Sequence, residues 1–256
     1  MTKLFALLLA GVASLSFAAP AFADAATAFR DGKWSTAIAQ GRAEATPAAL
    51  VLAGRSQLSI AAYETRDKAQ ALAQVERAEA DFDAALAKSP NDREAQMQKA
   101  VAIGYRAKLT KSPGLGKDAR KRFETLRDAH PDYALAWSAV GGWHAGAIAT
   151  LGNFMAGTIL GAKSAEIERN FAKALKLDPN SPSLRTIYAM SLLDIDRDNA
   201  LKAAALLNGI GRLPANDGFD ALLRAQGVQL SAALKAGDTK AAQALARRLQ
   251  AFGTVG

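Results

Sequence analysis

The chain has 256 residues, half of them apolar and 22% charged, with no cysteine and a formal net charge of +8. The missing thiols exclude a disulfide framework, a thiolate metal site and a cysteine-borne lipid anchor, so stability must come from packing. The positive balance favours anionic partners, but basic and aromatic residues are not interleaved as a nucleic-acid stacking platform requires, and nucleic acid is set aside.

Residues 1–23 read as an export signal. Lys3 supplies the positive start, Leu4 to Phe17 the apolar run, and Ala21 and Ala23 flank Phe22 as a small-residue cleavage site. The run is too short to span a bilayer and no stop-transfer pattern follows, which predicts cleavage before Asp24 and a periplasmic location. Removal of Lys3 with this segment leaves 233 residues at a net charge of +7.

From residue 24 onward alanine and leucine recur at helical spacing, and no alternating β-branched run is long enough for a sheet, so the expected class is all-α. Proline and capping residues break the pattern at Thr46-Pro47, Ser89-Pro90, Ser112-Pro113, His130-Pro131, Asp178-Pro179, Ser181-Pro182 and Leu213-Pro214. At Thr46-Pro47 and Ser181-Pro182 the hydroxyl takes the N-cap and proline the first helical position. The breaks predict an opening half-unit near 25–44, then helical pairs at about 48–88, 92–129, 133–177, 182–208 and 217–251, the last turning at Gly237-Asp238. Together they form a single domain over 24–256.

Three segments share one spacing. Ala78, Phe82, Ala85 and Pro90 lie at intervals of four, three and five, as do Ala119, Phe123, Leu126 and Pro131, and Ile167, Phe171, Ala174 and Pro179. Small residues let neighbouring helices approach, the phenylalanine fills the gap to the next pair, and proline stops the helix where the chain turns. This pattern resembles the tetratricopeptide-repeat family, whose first-helix signature is matched by Trp137, Val140, Gly141 and His144, with histidine standing where the family has tyrosine. Leu50, Ala53 and Gly54 match it less closely. The resemblance implies a right-handed α-solenoid with a concave face that binds protein or peptide. Pairs are lengthened, in the connection or in the helices themselves, after Ser59, Tyr105 and Ala145; the third, an insertion over about 145–163 with Trp137, Gly141, Trp143, Gly157, Gly161 and the following Asn170 to Ala174, is loosely similar to the regulator of microtubule dynamics proteins. A likeness to the periplasmic T component of TRAP-type transporters is equally loose.

Thirty residues from Tyr133 to Ala162 carry no Asp, Glu, Lys or Arg. Their repeat register and six glycines favour core plus a helical-hairpin insertion, with a cavity wall, subunit contact or membrane contact as alternatives. Gly157, Lys163 and Ser164 only approximate a phosphate loop, and the segment reads instead as a loop entering a helix capped by Ser164. Asp194, Asp196 and Asp198 begin like a calcium loop but lack its glycine and closing glutamate, so they read as turn and cap residues. Two histidines, His130 and His144, make a poor metal set, and no cofactor, metal or catalytic group is expected. The candidate contact residues are Trp143, His144 and Phe154 on the uncharged stretch, and Arg106, Lys108, Arg120 and Lys121 in the basic cluster beside it. The expected function is a non-enzymatic periplasmic scaffold for protein interaction or envelope assembly. The alternative is a carrier of lipid or an apolar or anionic small molecule, with peripheral contact to a membrane.

Overall fold

The computed structural model describes residues 24–256, and every regular element among them is helical. The export segment expected over 1–23 lies outside the described residues. Twelve α-helices follow in order: α1 Ala25–Arg30, α2 Trp34–Glu44, α3 Pro47–Ser59, α4 Lys68–Lys88, α5 Arg93–Thr110, α6 Pro113–Ala129, α7 Ala134–Leu160, α8 Ser164–Leu177, α9 Pro182–Ile195, α10 Ala200–Leu206, α11 Gly218–Lys235 and α12 Thr239–Leu249.

Local chemistry explains most boundaries. Thr46, Ser112 and Ser181 each accept the backbone N–H three residues on and are followed by proline at the first helical position. Asp24, Asp67, Asp92, Asp217 and Asp238 cap α1, α4, α5, α11 and α12 in the same way. Such a cap contributes about 1 kcal/mol.

Two expectations need correction. The segment 25–44 holds two helices, α1 and α2, because Asp31-Gly32 turns the chain with Gly32 at φ 70°. Ser164 is the first residue of α8 and not its cap: Lys163 holds the cap position and makes no side-chain bond there. The lengthening expected after Tyr105 lies in α5 itself, which runs on to Thr110 before α6 starts at Pro113. After Ser59, the helix widens into a π turn, Ile60–Glu64, before α4 begins.

Consecutive helices pack on one another along the chain, and the three phenylalanines sit in the core, Phe82 and Phe171 fully buried and Phe123 nearly so. Each ring faces a glycine on the first helix of its own pair. A Cβ on Gly54 would lie 2.4 Å from Phe82, and one on Gly141 would lie 2.9 Å from Phe171; Gly104 is looser, at 4.0 Å from Phe123. The rings therefore fill the space inside a pair as well as the space between pairs. Phe171 does both, since it also stacks on Tyr188 of α9 at 4.3 Å.

The residue before the phenylalanine adds a polar latch in two of the three pairs. Arg42 of α2 donates two hydrogen bonds to buried Asp81, at 3.0 and 2.9 Å. Arg127 of α6 reaches the Oδ1 of fully buried Asn170 at 3.4 Å, while the Asn170 amide donates to Glu166. The bidentate bond of Arg42 to the Asp81 carboxylate fixes orientation as well as distance, whereas Arg127 gives Asn170 a single longer bond.

The two ends of the described chain meet. Arg55 on α3 pairs with Asp217 at 3.2 Å, Tyr63 lies beside Phe219, and Phe252 enters the cluster formed by Leu58, Ala61, Ala62, Phe82, Ala102 and Leu109. The Phe252 amide donates to the Ala62 carbonyl at 2.8 Å, the Gly256 amide to Arg66, and the Lys108 ammonium to the Ala251 carbonyl. The π turn gives this segment its acceptor, because a widened turn leaves carbonyls without a partner inside the helix.

Candidate functional site

The uncharged stretch builds α7, the longest helix, and it is broken once. Gly152 has φ 74° and ψ 158°, values outside the helical region and suited to a residue without a Cβ. An outgoing arm, 134–151, ends there and a returning arm, 153–160, folds back on it. Ala145 and Ile148 of the first share a core cluster with Ala156 of the return and with Ala162 in the loop after it. Small residues on the touching faces allow the close approach.

The foot of this hairpin is a polar clamp. The Arg120 guanidinium donates to the carbonyls of Leu160 and Gly161, at 2.8 and 3.1 Å, and so closes the C-terminal end of the returning arm. The same group lies over the Trp143 ring and beside Glu124. The Trp143 indole N–H donates to the Gly116 carbonyl at 2.8 Å, tying the outgoing arm to the start of α6.

His144 is 2% exposed and accepts the Lys163 backbone N–H on Nδ1 at 3.1 Å, which requires a neutral ring. Burial, joined by the cations Arg120, Lys163 and Arg127 and opposed by Glu166, pushes its pKa down to about 4. Protonation would cost the Lys163 bond and place a charge among cations.

Above the clamp the hairpin is bare. Phe154, Met155 and Ile159 share one side of the returning arm and Leu151 ends the outgoing arm beside the turn; they are 80%, 46%, 37% and 39% exposed. They account for four of the six large apolar side chains that are exposed among the described residues; the other two, Leu201 and Val228, lie on α10 and α11.

The candidate contacts read from the sequence thus separate into two sets. Trp143, His144 and Arg120 come together at the clamp and hold the hairpin, and Phe154 is at its exposed face. Arg106 instead pairs with Glu79 at 3.0 Å, and Lys108 binds the C-terminal segment. Lys121 lies apart, on an open cleft of about 470 Å³ with Leu86, Pro90, Lys99, Asp118 and Arg122. Leu151, Met155 and Ile159 were not singled out from the sequence; their spacing of four suggests one continuous helical face, but the break at Gly152 puts Leu151 on the other arm. The repeat-packing residues Ala78, Ala85, Ala119, Leu126 and Ala174 are all buried. Trp137 is half-buried, donating to the Pro131 carbonyl and covered by Arg127 and Lys173.

Asp194 binds Arg247, and Asp196 caps the short turn Arg197–Asn199, so these aspartates hold a bend. No group of three or more potential metal ligands forms among the described residues. Among the same residues no single helix is long and apolar enough to cross a membrane; α7 and α8 together reach that composition but are bent by 101°. No protein-family model and no curated protein matches this chain.

Proposed function

We propose that this chain is a non-enzymatic binding scaffold of the tetratricopeptide type, a right-handed solenoid of helical pairs in the bacterial periplasm, whose contact element is the α7 hairpin. The repeat reading is supported by three phenylalanines at one spacing, each buried and each facing a first-helix glycine. The contact reading rests on one observation: apolar side chains are left in water on an element that a half-buried clamp of hydrogen bonds holds in place.

A patch of this kind is costly in a free protein and marks an interaction surface. The clamp matters because a pre-ordered element loses less freedom on binding. An open concave face, the usual site in such repeats, has less support here. Around α3 and α5 the chain's own C-terminal segment occupies apolar surface. The two described clefts are open and carry charged side chains, which gives a small-molecule carrier less support as well.

A photo-crosslinking residue placed at Phe154 in cells should give a discrete adduct, whereas the same residue at Leu201, an exposed position on α10, should not. Equal labelling at both positions, or none, would remove the proposal.

A further inference from the structure

Resting on that reading of the hairpin, we propose that its partner is the surface of an anionic lipid bilayer, into which Leu151, Phe154, Met155 and Ile159 insert. Three features of the hairpin distinguish a bilayer from a protein partner.

The first is area. From their fractional exposures the four side chains offer roughly 400 Å², about half of what one side of a stable protein interface buries. A second copy of the chain docked on this patch would fall short by the same margin. A bilayer needs no matching surface, and an apolar face of this size suffices for interfacial contact.

The second is the state of the polar groups beside the patch. The Thr150 hydroxyl donates to the Gly146 carbonyl at 2.7 Å and the Thr158 hydroxyl to Phe154 at 3.0 Å. Arg120 satisfies the carbonyls at the end of the returning arm. Groups bonded within the hairpin can leave water without the several kcal/mol that an unpaired one costs in hydrocarbon.

The third is charge. Near the foot, Asp118 pairs with Arg122, Glu124 with Arg120 and Glu166 with Arg169, whereas Lys117 and Lys163 form no ion pair among the described residues. Both lysines are exposed. Lys117 follows the Gly116 that holds Trp143, and Lys163 follows the returning arm. The returning arm is about 12 Å long at 1.5 Å per residue, and interfacial helices bury their apolar face about 5–10 Å deep. Insertion of the patch therefore brings the foot lysines to the level of lipid phosphates.

The chain has no cysteine, so Asn153→Cys gives one attachment point for an environment-sensitive fluorophore on the full-length protein without removing any of the four apolar side chains. With vesicles containing one third phosphatidylglycerol in phosphatidylethanolamine, the label should brighten and shift to the blue, and it should respond far less to phosphatidylcholine. Phe154→Ser should weaken partitioning roughly tenfold or more with melting unchanged. Lys117→Glu and Lys163→Glu should each weaken it roughly fivefold or more, with high salt acting in the same direction.

No vesicle response, or a response indifferent to Phe154, overturns the inference. So does self-association that Phe154→Ser abolishes, which identifies a second copy as the occupant. In the cellular crosslink at Phe154 a lipid adduct is the expected result; a discrete protein adduct would overturn the inference while leaving the proposed function standing, and absence of any adduct removes both.

Discussion

Two places depart from regular helix-turn-helix packing, and the chain treats them oppositely. At the π turn after α3, apolar side chains and the Ala62 carbonyl, with that of Arg66 just beyond, are covered by residues 251–256. At the α7 hairpin, an apolar patch of similar character is presented to solvent, while the polar groups beneath it are tied down. The irregularity at the π turn is closed by the chain itself; the one at the hairpin is tied at its foot and left open, and on the proposed function it is the contact surface.

That contrast is broken most readily at the phenylalanines. Phe171→Ala removes a fully buried ring stacked on Tyr188 and pressed against Gly141, and should cost about 3–5 kcal/mol, seen as a large drop in denaturation midpoint. Phe154→Ala, an equal change in chemistry at an 80% exposed site, should stay within about 0.5 kcal/mol. Comparable losses at the two sites would mean that the hairpin is part of the core.

Phe252→Ala comes next. It removes the ring that meets Tyr105 at 5.0 Å in the closing contact, and should cost about 3 kcal/mol while raising amide exchange in residues 60–66. Unchanged exchange there would show that the ends do not depend on one another.

Acid should loosen the open site through its clamp. The folded pKa of His144 is about 4, below its ordinary 6.5, so the unfolded chain takes up the proton first as pH falls. The stability contributed by neutral His144 is present in full above pH 6.5 and is lost progressively as pH falls towards 4, by up to about 3 kcal/mol at 1.4 kcal/mol per unit. His144→Gln should flatten that part of the melting profile. A profile that keeps its slope in the variant would assign the loss to other groups.

Much of the architecture was written in short-range chemistry. Helix starts at Thr46-Pro47, Ser112-Pro113 and Ser181-Pro182 follow from a hydroxyl cap and a fixed proline φ, which need only neighbouring residues. The spacing around Phe82, Phe123 and Phe171 likewise marks buried faces, because a helix repeats its surface every three to four residues. The hairpin insertion could be anticipated from thirty residues without charge, and Phe154 from its place in them.

Other features depend on partners far apart in sequence. Arg106, Lys108 and Arg120 look equivalent as a basic cluster, yet one meets Glu79, one the Ala251 carbonyl and one the end of α7. The latches Arg42 to Asp81 and Arg127 to Asn170 span about forty residues and carry no local signature. Local periodicity determined that this protein is built from helical pairs and which faces are apolar. Tertiary packing alone decided which of those faces the chain covers with its own C-terminal segment and which it leaves exposed on the hairpin, since burial depends on what else arrives at a surface.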